Sequence, residues 1–103
     1  MSLEIWKYVL DEDAEPEMPV GAVVIEVGQQ HGKICVWAIV DPSAQRIKRE
    51  FRVFGTGHQI EAAEELKYEG TAHLESLGLV FHVFSDRRGD PRAGAIIPID
   101  SHH

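Results

Sequence analysis

The sequence predicts a mainly β domain, at the margin of the α+β class, with about six antiparallel strands and one short helix. Two observations carry this prediction. Apolar and polar side chains alternate with a period of two along most of the chain, and turn-forming residues separate the apolar runs at short intervals. At 103 residues the chain supports one core. Such strands form a curved half-barrel or a small sandwich.

The central hairpin is predicted from two apolar strands around a two-residue turn. A first strand runs from Leu3 to Leu10, an acidic loop follows, and Pro16 and Pro19 bracket a short extended piece. A second strand then covers residues 22–29, and the turn is His31-Gly32. Centring the hairpin on this turn predicts four pairs: Val27 with Val36, Ile25 with Ala38, Val23 with Val40, and Gln29 with Ile34.

The second half of the chain predicts one long strand, one short helix and a second hairpin. Asp41-Pro42 stops the central hairpin, and residues 46–54 then alternate with Ile47, Arg49, Phe51 and Val53 on one side. Residues 59–66 are rich in helix formers and predict one or two helical turns. The second hairpin joins residues 66–74 to 79–84, with predicted pairs Leu74–Leu79, Ala72–Phe81 and Gly70–Val83.

These registers predict which side chains form the core. They are the apolar residues on the shared faces of the two hairpins and the strand between them: Val23, Ile25, Val27, Val36, Ala38, Phe51, Val53, Leu74, Leu79, Phe81 and Val83.

The chain divides into a β-rich domain over residues 1–84 and a tail over residues 85–103. The tail begins as a polar linker and continues into the apolar segment Ala95–Ile99. Apolar side chains in so short a tail favour docking, either against their own domain or against a second subunit.

Composition excludes several classes of protein. The net charge of −7 disfavours binding to a nucleic acid backbone, which requires clustered lysine and arginine. No apolar run approaches the roughly 20 residues of a membrane-spanning helix. One cysteine, Cys35, excludes an intrachain disulfide and favours the cytoplasm; its place within an apolar strand predicts a buried side chain rather than a nucleophile.

Six short motifs in one order resemble a family of small uncharacterised proteins from bacteriophage and prophage genomes. They are Ile5-Trp6-Lys7-Tyr8, Met18-Pro19-x-Gly21-Ala22, Trp37-Ala38-x-Val40-Asp41-Pro42, Phe51-Arg52-x-Phe54-Gly55-Thr56-Gly57-His58, Tyr68-x-Gly70-Thr71 and Val80-Phe81-His82-Val83-Phe84. The resemblance covers about residues 4–84 and implies a phage-type origin, in the cytoplasm of a bacterial host, without a known activity or cofactor. The residues around Glu61–Glu65 and the tail beyond Ser85 depart from it.

Candidate chemistry is sparse. Gly55-Thr56-Gly57-His58 ends a strand, and a small-ligand pocket formed there would be lined by Trp37, Arg52, Thr56 and His58. His73 and His82 share a face of the second hairpin with Glu69 further along, but lack a metal-binding motif, so we predict no metal site. No motif indicates a cofactor or a catalytic residue.

These observations favour a non-catalytic accessory protein that binds another protein or its own copy. The alternative is a protein that binds or sequesters a metabolite or nucleotide, and a weaker one is a small hydrolase. The second face of the central hairpin and the tail expose more apolar surface than one small domain needs, which favours a homodimer. The predicted interface consists of Trp37, Ile39, Ile96, Ile97 and Ile99.

Overall fold

The computed structural model describes residues 2–11, 15–61 and 63–86, and the predicted interface residues of the tail lie outside them. The described chain is mainly antiparallel β, as predicted, with eight strands instead of about six. The strands are β1 (Glu4–Leu10), β2 (Glu17–Pro19), β3 (Val23–Gln30), β4 (Lys33–Val40), β5 (Arg46–Lys48), β6 (Phe51–Gly55), β7 (Lys67–Leu74) and β8 (Leu79–Ser85).

The strands form two three-stranded sheets and one two-stranded sheet. The tryptophan sheet, which contains Trp6 and Trp37, has the order β1-β4-β3. The histidine sheet, which contains His73 and His82, has the order β6-β8-β7, and β2 pairs with β5 in the small sheet. Buried side chains from both large sheets belong to one continuous cluster, so the two sheets share a core.

The two large sheets meet where β3 lies against β7. A Cβ atom added to Gly70 would be 2.8 Å from Cβ of Val27, a separation that real side chains do not tolerate. Gly70 also has a φ of +158°, which disfavours any side chain there. Glycine is therefore required on β7 for the two sheets to approach this closely.

The long strand predicted over residues 46–54 is two strands with different partners. Its first part pairs with β2 and its second with β8, and the chain between them carries Arg49 into the interior. Of the one or two helical turns predicted over residues 59–66, the described residues of this segment form one, a 3-10 turn at Ala63–Glu65. So few residues cannot sustain an α-helix without a buried face.

The turns of both hairpins confirm part of the predicted registers. His31 and Gly32 both have positive φ, 56° and 78°, as a two-residue type I′ turn requires. Close to this turn Val27 pairs with Val36 and Gln29 with Ile34. The second hairpin has all three predicted pairs, Leu74–Leu79, Ala72–Phe81 and Gly70–Val83.

A β-bulge overturns the other two predicted pairs of the central hairpin. The register shifts between Val24 and Glu26, so Val24 pairs with Ala38 and Val23 with Ile39. The extra residue, Ile25, is 47% exposed instead of lying in the core. A bulge adds one residue to one strand, which exchanges the two faces for every residue beyond it.

A second bulge, between Tyr68 and Gly70, has the same effect on β7. Tyr68, which strict alternation from Gly70 places on the apolar face, is 55% exposed. Glu69, predicted on the face of the histidines, has a buried side chain that accepts a hydrogen bond from the Ser85 hydroxyl at 2.7 Å. The Lys67 ammonium lies 3.7 Å from the other carboxylate oxygen of Glu69.

Most of the predicted core is confirmed, but Ile25 and Leu79 are exposed. The buried members of the predicted set are Val27, Val36, Ala38, Phe51, Leu74 and Val83. Val53 and Phe81 are half-buried and pack against this core, whereas the half-buried Val23 pairs with Ile39 of the outer face. Leu79 is 44% exposed because it begins β8 at the turn end of the second hairpin, beyond the packed interior.

One buried charge holds the end of β8 to the start of β6. The side chain of Arg49 is 1% exposed, its Nη1 donates to the carbonyl of Ala22 at 3.2 Å, and its Nε lies 3.8 Å from Oδ1 of Asp86. Asp86 also accepts from the backbone N–H of Glu50 at 3.0 Å and donates its own N–H to the Glu50 carbonyl at 2.9 Å. These contacts pack Asp86 against the chain that leads into β6.

Candidate functional site

The outer face of the tryptophan sheet is built from the side chains that alternate with the core. On β4 the residues Val36, Ala38 and Val40 point inward, so Cys35, Trp37 and Ile39 point outward. Strand pairing arranges this outer face in three rows across β1, β4 and β3: Ile5–Ile39–Val23, Lys7–Trp37–Glu26 and Val9–Cys35–Gly28.

This face exposes large apolar side chains. Ile5 is 61% exposed, Val9 44% and the bulge residue Ile25 47%. Trp37 is half-buried because its indole leans over Gly28, where an added Cβ would lie 3.5 Å from Cζ3 of the ring. Branched side chains grouped around an indole are typical of surfaces that contact other proteins.

Two charged residues lie on either side of Trp37 in the middle row. Lys7 on β1 donates a hydrogen bond to the side-chain oxygen of Gln30 on β3, so its side chain crosses β4. Glu26 on β3 is exposed. Cys35, in the row beside Trp37, is buried as predicted and behaves as a small apolar side chain.

The outer face of the histidine sheet is aromatic and polar. The ring of Phe84 makes edge-to-face contacts with Phe54, at 5.7 Å between centroids, and with Tyr68, at 5.4 Å. Arg52, which pairs with Phe84 across the strands, donates from Nε to the Glu50 carboxylate at 3.1 Å. These side chains therefore already contact one another within a single copy.

His82 is at the centre of a chain of hydroxyl groups on this face. Its Nε2 lies 2.9 Å from the hydroxyl of Thr56, and its Nδ1 lies 3.1 Å from that of Thr71. The Thr71 hydroxyl also bonds the hydroxyl of Tyr68 at 2.5 Å. A hydroxyl against an imidazole is the contact used by nucleophile–base pairs, but the group that orients this imidazole is a neutral hydroxyl rather than a carboxylate.

The structure brings together some of the predicted ligand-binding residues and separates others. Thr56 and His58 line an open cleft of about 550 Å³. Its other walls are formed by Gly55, Gly78, Leu79, Val80 and Phe81. Arg52 lies along the same outer face, whereas Trp37 belongs to the other large sheet, so the four do not surround one pocket.

His58 closes the turn that forms one wall of this cleft. Its Nδ1 accepts a hydrogen bond from the Gly55 N–H at 3.1 Å, and its own N–H donates to the Gly55 carbonyl at 3.0 Å. The sequence predicts Thr56 and His58 as site residues but does not predict that Thr56 contacts His82. Thr56 lies just beyond β6, so strand alternation gives no register for it.

His73 and His82 share a face of the histidine sheet, as the register predicts. Glu69, the third candidate metal ligand, is turned away by the bulge and engaged by Ser85. Within residues 2–11, 15–61 and 63–86, no group of three or more histidine, cysteine, aspartate or glutamate side chains could hold a metal ion.

Two groups with shifted pKa values lie away from both outer faces. Burial raises the pKa of Tyr8, with Arg46 opposing the shift, and the Tyr8 hydroxyl has no hydrogen-bond partner in the described part of the chain. Hydrogen bonds from the Ser43 hydroxyl and backbone N–H lower the pKa of Asp41 in the turn after β4. Neither Tyr8 nor Asp41 lines the cleft beside Thr56, so these pKa shifts are not evidence of catalysis there.

The family model described as a domain of unknown function, DUF7352, matches residues 1–94. The chain belongs to this family. The DUF7352 match includes every strand of both large sheets and therefore both outer faces. No curated protein and no solved structure matches the chain. Among its described residues, no helix has the length and apolar character needed to cross a membrane.

Proposed function

We propose that this DUF7352 protein is a non-catalytic accessory protein of phage type, acting in the cytoplasm of a bacterial host. It binds another protein or its own copy through the outer face of the tryptophan sheet. One observation carries the proposal: Ile5, Val9 and Ile25 are exposed around the half-buried Trp37. A small-ligand protein would instead concentrate its apolar side chains in a concave site.

The energetics of this face favour a protein partner. Fully burying one isoleucine or valine side chain contributes about 1.5–3 kcal/mol, so these exposed side chains together supply several kcal/mol. Association of two proteins costs about 4–15 kcal/mol in lost freedom of motion. The gain and the cost are of the same order, which predicts reversible binding of a flat protein surface.

The test compares a double substitution on this face with a matched change elsewhere. Ile5→Ser with Ile39→Ser removes apolar surface from the face, and Leu77→Ser is the control, because Leu77 is 65% exposed in the 3-10 turn between β7 and β8. Each protein is immobilised and offered the purified wild-type protein and, separately, a bacterial host lysate. We expect capture by the wild type and the control but not by the double variant. Equal capture by all three would refute the proposal.

A second candidate function is the binding of a small metabolite or nucleotide in the cleft beside Thr56. The observation that favours it is the placement of Thr56 and His58 against the apolar walls Leu79 and Phe81. A nucleotide mixture that raises the unfolding temperature of the wild type, but not that of Thr56→Val, would support this function. No shift at millimolar nucleotide would exclude nucleotides as the ligand.

A further inference from the structure

We infer that the outer face of the tryptophan sheet pairs with the same face of a second copy, about a two-fold axis parallel to the strands. This inference rests on the proposed function and deepens it, since it names the partner and the orientation. The axis passes above Trp37 and relates two identical surfaces, as in a closed homodimer.

The charges select this axis. In the middle row, Lys7 and Glu26 are each one strand away from Trp37, on opposite sides, at about 4.8 Å per strand. An axis parallel to the strands exchanges the β1 side of one copy with the β3 side of the other, so each Lys7 meets the other copy's Glu26. An axis across the strands would instead place Lys7 on Lys7 and Glu26 on Glu26. The first arrangement is attractive and the second is repulsive.

The present contact of Lys7 does not oppose this pairing. Its ammonium donates to Gln30, and both side chains are exposed. An exposed hydrogen bond of this kind contributes little to stability. Lys7 can therefore release the Gln30 side chain and bind the carboxylate of the second copy's Glu26 instead. The ammonium is an ionised donor in both contacts, but a carboxylate acceptor adds the attraction between opposite charges.

The shape of the face fits the same axis. The Trp37 indole leans toward β3 and covers Gly28. In the row Val9–Cys35–Gly28, the surface is therefore lower at Val9 than at Gly28. Rotation about the strand-parallel axis carries the second copy's indole over Val9, so the two rings lie side by side instead of colliding. The same rotation places Ile5 against the second copy's Val23. Two aligned sheets packed face to face, about 10 Å apart, are a common arrangement in proteins.

The size of the face predicts the strength of the pair. Three strands of seven or eight residues cover about 14 Å by 25 Å, or about 350 Å². A standard stable interface buries roughly 800 Å² per partner. We therefore expect a reversible dimer with a dissociation constant of about micromolar order.

A charge exchange between two variants tests the orientation. In Lys7→Glu each copy places a glutamate against the other copy's Glu26, and in Glu26→Lys each copy places a lysine against Lys7. We expect each variant alone to dimerise at least about ten-fold more weakly than wild type. An equimolar mixture restores both attractive pairs, so the mixed dimer forms with wild-type affinity. Glu75→Lys, an exposed change in the 3-10 turn beyond β7, is the charge-matched control.

Sedimentation velocity with one variant fluorescently labelled separates the outcomes, after thermal unfolding has shown that every protein is folded. Wild-type dimers with no recovery in the mixture would overturn the strand-parallel axis. Variants that dimerise like wild type would overturn the use of this face. A wild-type protein that stays monomeric at several hundred micromolar would overturn self-pairing altogether. In that last case, capture of a different protein that depends on Ile5 and Ile39 would still support the proposed function.

Discussion

The two outer faces of this domain differ in how many hydrogen bonds and packing contacts their side chains already make within one copy. On the histidine sheet both ring nitrogens of His82 contact hydroxyl groups, Arg52 is held by Glu50, and Phe84 packs against two other rings. On the tryptophan sheet Ile5 and Val9 remain 61% and 44% exposed to solvent. The histidine face is complete in one copy, whereas the tryptophan face gains most by being covered.

This difference determines what each face can bind. A ligand on the histidine face must compete with hydrogen bonds that already exist, and each broken bond without replacement is unfavourable by about 1–3 kcal/mol. A partner on the tryptophan face displaces mainly water from apolar side chains, which is favourable. The comparison therefore favours a protein-binding role for the tryptophan face.

The largest expected effect distinguishes the inner side of the tryptophan sheet from its outer side. Val36 is fully buried, and Val36→Asp places an unpaired carboxylate in the core at an energy of several kcal/mol, comparable with the whole stability of a small domain. We expect no cooperative thermal unfolding by circular dichroism. Ile39→Asp, on the same strand but facing outward, should remain folded. A Val36→Asp protein that unfolds like wild type would contradict the position of the core.

The next effect concerns the charge that anchors the histidine sheet. Asp86→Ala removes the carboxylate beside the buried Arg49, and we expect the free energy of unfolding to fall by about 3 kcal/mol in urea denaturation. Asp86→Asn retains an acceptor for the Glu50 N–H but not the charge, so it should lie between wild type and Asp86→Ala. A loss below 1 kcal/mol for the alanine variant would show that Arg49 does not depend on Asp86.

A substitution at the junction tests how closely the two sheets approach. Gly70→Ala brings a methyl group against Val27, and overpacking of this kind destabilises by about 2 kcal/mol. Adding Val27→Ala makes room, so the double variant should be more stable than the sum of the single effects predicts. Strict additivity in urea denaturation would mean that β3 and β7 are not in contact at this point.

The sequence determined the register near each turn but not the bulges. His31-Gly32 and the loop before Leu79 place Val27 opposite Val36 and Leu74 opposite Leu79, because turn geometry sets the register of the first pairs. Strict alternation of side chains extends this register away from the turn. The predicted pairs are therefore wrong beyond the first bulge, where one strand has an extra residue. Val24 and Ile25 are both β-branched and apolar, so nothing in their types indicates where the bulge lies.

The second bulge did have a signal. A glycine inside a strand often marks a bulge, and Gly70 follows Glu69, a charged residue that the bulge turns inward. The candidate site could likewise be predicted from the sequence only in part. Alternation placed Trp37 and Ile39 on one outer face, but the contact between Thr56 and His82 depends on a loop beyond β6 that no periodicity describes.

A smaller effect sharpens the contrast between the outer faces. Thr56→Val removes the hydroxyl that contacts His82, and we expect a loss of about 1 kcal/mol in the free energy of unfolding. Ile5→Thr, on the other face, should change stability by less than about 0.5 kcal/mol because Ile5 is exposed. Equal losses of unfolding free energy for Thr56→Val and Ile5→Thr would contradict this difference between the two outer faces.

The smallest expected effect is on Tyr8, whose buried hydroxyl has no partner among the described residues. Tyr8→Phe should leave stability unchanged or raise it by up to about 1 kcal/mol. Because burial raises the pKa of Tyr8 above 10.0, the wild type loses stability as the pH rises through that range. The advantage of the phenylalanine variant in thermal unfolding should therefore grow above pH 10. A destabilised Tyr8→Phe would reveal a hydrogen bond to this hydroxyl.

The two tryptophans of the chain lie on neighbouring strands of one sheet and point in opposite directions. Trp6 packs against the core, with the Arg46 guanidinium 5.0 Å from its ring centroid, while Trp37 lies on the outer face over Gly28. The sheet thus separates two natural fluorophores by the thickness of one strand layer. Replacing either with phenylalanine leaves a single optical reporter: emission from Trp6 follows unfolding of the interior, and emission from Trp37 follows events at the surface.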